Sequence, residues 1–277
     1  MLRTFLTLIL SIWLLACQTS SVDDVLGKSK EADRETQEAA SLLWDPLDSE
    51  ARSALKVARA EDASYAALMG AAKLLFATAD LRVLATSLNW IETHPDASLK
   101  DILKADDRVS SHLREEVAAL SLELVELCER ALQRAQGDDE ARLYRALGLG
   151  LRAWAIGAGA ALLQGLGPKV AKSIRDASNT ATEIEAAAGL RLYGRFLDRA
   201  PWPYGDGKKA LELLHQACEL APAPLNWMYL GDALESDERR EEARKAWRQA
   251  VEEETEVPVR TAAYHRRLCE ARLRASN

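Results

Sequence analysis

Aromatic residues make up only 6% of the 277-residue chain, there are four Cys and eight Pro, and positive charge is outnumbered. Each shortage excludes something. Four Cys, none in a Cys-x-x-Cys spacing, cannot build a disulfide-dense scaffold. A formal charge of −7, from 36 Lys and Arg against 43 Asp and Glu, offers no attraction to nucleic acid. No apolar run reaches the ~20 residues that a helix needs to cross a bilayer, so the chain is not a multi-span membrane protein. No stretch alternates apolar and polar residues over the length of a strand, which argues against sheet. Patterns that carry chemistry are missing too. Gly205-Asp206-Gly207-Lys208 lacks the spacing and the following Ser or Thr of a phosphate loop. The glycine pairs 148/150, 157/159 and 165/167 sit in helical patterns without the third glycine of a dinucleotide fingerprint. There is no Gly-x-Ser-x-Gly elbow. His112 with Glu115 or Glu116 could share a helix face, but a metal site needs a third or fourth group, and His94, His215 and His265 fall in unrelated contexts. The chain is therefore read as a non-enzyme, with no cofactor and no metal.

What is there is ordinary globular material, 48% hydrophobic and 29% charged, enough to bury a core. Beyond Leu42, Ala, Leu, Glu, Arg and Lys dominate, and apolar residues recur at intervals of three and four, which predicts an all-α fold. Pro, Gly and Asx-type residues punctuate the pattern at Asp45-Pro46, His94-Pro95-Asp96, Gly137-Asp138-Asp139, 165–168, 201–207 and 222–224. Between these breaks the spacing predicts helices over 47–60, 63–93, 98–104, 107–135, 139–164, 168–186, 188–199, 207–220, 225–236, 238–254 and 258–274. The last is basic, with Arg260, Arg266, Arg267, Arg272 and Arg274, and reads as a terminal cap with a polar outer face.

The front of the chain is an address. Arg3 supplies one positive charge, and Phe5 to Ala16 is a 12-residue apolar run broken only by Thr7 and Ser11, the pattern of a signal peptide. It ends in Leu14-Leu15-Ala16-Cys17, which resembles the lipobox of bacterial lipoproteins. That likeness implies cleavage after residue 16 and acylation of Cys17; an ordinary cleaved signal and an uncleaved anchor are the alternatives. Several acyl chains hold a protein on a membrane far more firmly than one. Gln18, where an Asp would signal retention in the inner membrane, implies the periplasmic face of the outer membrane, with the inner membrane as the alternative. Residues 17–41 then read as a polar tether. Cys128, Cys218 and Cys269 remain, as buried thiols or with two of them in a disulfide.

One pattern recurs three times: Tyr144/Leu147/Gly148/Leu151, Leu190/Tyr193/Gly194/Leu197 and Trp227/Leu230/Gly231/Leu234. The spacing 0, 3, 4, 7 puts all four residues on one helical face, and a glycine there opens a notch for a neighbouring helix. Glycine costs ~1 kcal/mol inside a helix, so its return at this place implies a packing role. Downstream, Ala210/Leu214/Ala217 and Ala243/Trp247/Ala250 repeat small, large, small with an offset of 33. The run from Trp227 through Gly231, Ala243 and Trp247 to Ala250 resembles the tetratricopeptide repeat in order and spacing, which implies stacked helix pairs. The expected partner of Gly148 is the looser set Val170/Ile174/Ala177, after a longer insertion.

Residues 107–256, with Tyr144 to Trp154, Pro168-Lys169-Val170, Gly189-Leu190 and Arg199 to Asp206, resemble the T-component lipoproteins associated with TRAP-type transporters. The likeness implies a tetratricopeptide-like solenoid over 107–277, preceded by a helical region over 42–106, and a periplasmic accessory protein that docks a solute-binding protein. Its inner surface would receive the partner or pass an apolar ligand. A scaffold for outer-membrane assembly or secretion machinery is the alternative, and homo-oligomerisation stays open. Trp154, Trp202 and Tyr204 are the candidate binding residues, because rigid aromatics anchor contacts well; the competing reading places Trp202 in an inter-helix gap and Trp154 in ordinary core.

Overall fold

A computed structural model describes residues 47–180, 184–253 and 261–276. The leader, Cys17 and the tether lie outside the described residues. All the described residues fall within one compact unit, 43–277. They are helical, with no strand among them, and no helix among them is long and apolar enough to cross a membrane.

The elements run in chain order: α1 (47–58), α2 (Tyr65–Thr93), the single turn α3 (Leu99–Ile102), a 3₁₀ turn (Ala105–Arg108), α4 (Ser111–Arg134), α5 (Asp139–Ile156), α6 (Ala158–Leu163), α7 (Leu166–Thr180), α8 (Ala188–Arg199), α9 (Gly207–Leu220), α10 (Pro224–Ser236), α11 (Arg240–Glu252) and α12 (Ala262–Ala275). Local chemistry explains half of the starts. Ser64, Ser98, Ser110, Asp138 and Asp206 each cap a helix by accepting from the backbone N–H three residues on, satisfying a donor that the first turn leaves open. Pro224 opens α10, where its missing N–H costs nothing.

The helix expected over 139–164 is broken. Gly157 has φ +83° and ends α5 after Ile156, and α6 starts anew at Ala158. That conformation is open to glycine and strained for any L side chain. The helices expected over 168–186 and 238–254 also end earlier, at Thr180 and Glu252.

Successive helices pack on one another from α4 onward, with α5 lying between α4 and α7. Helix α2 breaks this local order. Its 29 residues span ~43 Å at 1.5 Å per residue and contribute to three cores in turn. Leu68, Met69, Ala72 and Leu75 share a core with Leu124, Cys128, Ala131, Ala141 and Tyr144. Ala79 joins Val109, Leu113, Val117 and Ala155. Leu88 and Ile91 belong to the core built from Leu214, Met228, Leu230, Trp247, Leu268 and Cys269. A segment from the N-terminal region thus packs against both ends of the following helices, and Arg267 of α12 closes the circuit with Glu92.

Candidate functional site

The repeated glycines stand at close helix contacts. A Cβ on Gly231 would stand 2.5 Å from Cδ1 of Trp247, and one on Gly194 would stand 2.6 Å from Cγ of Leu214 and 3.2 Å from the Ala210 carbonyl oxygen. Trp247 and Leu214 are fully buried, as are the flanking Ala243, Ala250, Ala210 and Ala217. The large side chain of the second helix therefore fills the space that the glycine of the first leaves open, in α8–α9 and again in α10–α11. Trp227 lies at the edge of its pair, half-buried, and donates from Nε1 to Glu253 at 3.3 Å.

Gly148 departs from this scheme. A Cβ there would meet Val125 at 2.9 Å and Leu124 at 3.0 Å, both on the preceding helix α4. Val170, Ile174 and Ala177, its expected partners, pack instead with Leu143 and Ala146. The reason is the short turn 135–138, which folds α5 back on α4, so that the Gly148 face is already taken when α7 arrives on another.

Beside the Gly231 notch lies a group that sequence reasoning missed. Asp232, 3% exposed, accepts from Arg272 Nε at 2.7 Å and Nη2 at 3.0 Å, and from Trp247 Nε1 at 3.1 Å. Arg195 Nη1 approaches at 3.3 Å, and the same guanidinium pairs with Asp198 at 3.2 Å and lies 4.6 Å over the ring of Tyr229. One carboxylate thus ties α8, α10, α11 and α12 together. Burial is the largest single influence and lowers the Arg272 guanidinium, but the charge and hydrogen bonding of Asp232, together with Cys269, outweigh it and the net shift is upward. Arg272 was expected on a polar outer face of the last helix; it is 4% exposed and turned inward. A buried carboxylate requires such partners, because uncompensated charge in the interior is expensive.

A second polar cluster adjoins it. Arg191 Nη1 donates to Asn226 Oδ1 at 2.8 Å and to the carbonyl of Ala186 at 2.9 Å, and the fully buried Asn226 donates to the carbonyls of Ala186, Ala217 and Ala221. These bonds hold Glu185, Ala186 and Ala187, three successive residues with φ between +49° and +57°, a conformation that is strained outside glycine. Asp80 of α2 feels the Arg191 charge; burial pushes its carboxyl up to about 6, and Arg191 acts in the opposite direction. His265 is buried nearby and pushed down to about 3, first by burial and then by the charges of Arg191 and Arg272. The surface between α2, α8 and α10 therefore carries ionic groups, which does not suit an apolar channel. Cys128, Cys218 and Cys269 are buried free thiols, each pushed up to about 12 by burial, which keeps them unreactive.

The three candidate aromatics take two different situations. Trp154 packs beside Val109, Leu113, Val117 and Ala155. The Arg114 guanidinium lies 4.7 Å over its ring and donates to its carbonyl at 3.0 Å. Tyr204 is half-buried against Phe196, with ring centroids 6.4 Å apart, and 3.3 Å from where a Cβ on Gly167 would stand. Trp202 is 89% exposed. It fills no gap between helices, because hydrogen bonds from Tyr204 N and Gly205 N to the Pro201 carbonyl and from Asp206 N to the Leu197 carbonyl hold the loop as a compact turn with the indole outside.

No protein-family model matches this chain, and no curated protein matches it either.

Proposed function

We propose that the chain is a lipid-anchored, periplasmic protein-interaction module of tetratricopeptide type, serving a TRAP-type solute uptake system as the accessory component that docks its solute-binding protein. The observation that carries this reading is the notch-and-plug contact repeated in consecutive helix pairs, Gly194 against Leu214 and Gly231 against Trp247, with the two plugs 33 residues apart. Stacked pairs of that period present an extended surface for partners. The Asp232 hub supports the same reading, since it stiffens the last pairs into one platform, and a rigid surface loses less entropy on binding.

Acylation at Cys17 would keep this platform on the periplasmic face of the outer membrane, and the polar stretch 17–41 would set its reach. Because α2 and its Asp80 cover part of the first helices of the pairs, the docking partner is assigned to the second helices and the connecting turns, not to a central channel.

In vivo crosslinking followed by purification of the acylated protein tests this. Recovery of a periplasmic solute-binding protein, lost when exposed residues of α9 or α11 are changed, is the expected result. Recovery of outer-membrane assembly or secretion subunits alone would replace this reading with the scaffold alternative.

A further inference from the structure

Two short segments interrupt the regular helix pairs, α6 with its flanks and the loop 200–206, and both bring large apolar side chains to the surface. Leu163 is 92% exposed, Leu162 47% and Trp202 89%. The segments meet at Gly167: a Cβ there would stand 3.1 Å from Leu162 Cδ2 and 3.3 Å from the Tyr204 ring. Tyr204 thus underpins the loop, and the two segments that carry Leu162, Leu163 and Trp202 meet as one tip. The other large exposed apolar residues, Val57, Leu122 and Leu220, stand singly on α1, α4 and α9.

Charge separates this tip from the rest of the protein. In a chain of net charge −7, residues 141–175 contain no Asp or Glu but six Arg and Lys, and residues 153–168 carry no charge. Lys169 follows directly at the start of α7, and Lys208 follows the loop at the start of α9; both are exposed, and neither is paired with a carboxylate among the described residues. The acids nearest in sequence are engaged, Asp206 in capping α9 and Asp176 with Lys172.

We propose that this tip seats on an anionic lipid surface, with Leu162, Leu163 and Trp202 entering the interface and Lys169 and Lys208 at headgroup level. The shape favours a lipid surface over a peptide, because recognition of a helix or an extended segment uses a groove or a sheet edge, whereas a six-residue helix and a tight turn project. Indole rings settle at the boundary of water and hydrocarbon, lysine stems lie along apolar surface with the charge in water, and anionic headgroups attract exposed lysines. The tip would orient the helical body on the membrane. The proposal does not depend on acylation at Cys17.

The test uses the full chain associated with vesicles of brominated phosphatidylcholine, alone or with roughly one phosphatidylglycerol in three. Trp202 emission is taken as the difference between wild type and Trp202→Phe. The expected result is blue-shifted emission, quenched about threefold more with phosphatidylglycerol than without it, and reduced to the uncharged-lipid level by Lys169→Glu with Lys208→Glu. Leu163→Ser lowers quenching in the same way while circular dichroism stays unchanged. Water-like emission in both lipids overturns the proposal, as does equal quenching in the two, or protection that requires an added protein. A chain that floats with the vesicles while Trp202 remains in water keeps its anchor and loses the tip, so the two readings fail separately.

Discussion

The α10–α11 pair and the α5–α7 region start from the same four-residue pattern and end differently. In the first, Ala243 comes twelve positions after Gly231, the turn is tight, and Trp247 drops over the glycine while Asp232 captures its indole N–H. In the second, the chain runs 22 residues from Gly148 to Val170, spends the extra length on α6 and its two flanking turns, and leaves the notch to an upstream helix. The difference teaches that a small-residue notch specifies close approach but not by which helix; the length of the connection and the order in which faces are claimed decide that. It also separates tasks, since the regular pair buries its large side chains and the irregular region exposes them.

The sharpest way to break the comparison is at the hub. Asp232→Ala leaves Arg272 buried without its carboxylate and should cost about 3–5 kcal/mol, read as a lowered midpoint in urea unfolding. Asp232→Ala combined with Arg272→Met should recover part of that loss, because the uncompensated charge is gone. A single variant with wild-type stability would show that the hub does not tie the last helices together.

Acid should act on the same end of the molecule. The folded pKa of His265 lies below its unfolded value, so its contribution is fully present above about pH 6.5 and is lost as pH falls toward about 3. His265→Leu should flatten that acid limb by on the order of 3 kcal/mol. Asp80 runs the other way: its raised carboxyl costs stability as pH rises from about 4 through about 6. Asp80→Asn should therefore add about 1–2 kcal/mol at pH 8 and nothing at pH 3.

Next come the glycines. Gly231→Ala drives a methyl into a rigid indole and should cost about 1–3 kcal/mol. Gly148→Ala meets the ends of Val125 and Leu124, side chains that can turn aside, and should cost less, since removing glycine from a helix returns up to ~1 kcal/mol. Equal losses in thermal melts would mean that the two notches are equivalent. Smallest of all, Leu163→Ser and Trp202→Ser should change stability by no more than about 0.5 kcal/mol, because these side chains contact mainly water in the free protein.

Much of the secondary structure was legible in advance because its causes are local. Ser110, Asp138 and Asp206 cap helices through their own backbone neighbourhoods, Pro224 opens one, and the period of apolar residues survives any tertiary arrangement. Gly157 was in view but was read through, since nothing in a helical pattern announces φ +83°. The hub was hidden for a different reason. Asp232 and Arg272 lie 40 residues apart, and each looks like one more charge on an amphipathic helix. The only local hint is an acid placed directly after a notch glycine on a mostly apolar helix.

Composition and spacing alone determined that the described residues are helical, where most of their helices begin, and that Gly194 and Gly231 stand on faces meant for close contact, because those properties arise within a few residues of one another. Which helix fills each notch, which arginine turns inward, and whether Trp202 is core or surface were decided only when distant segments competed for the same space. Burial is a property of the whole packing, and α2, reaching from one end of the following helices to the other, settles much of it.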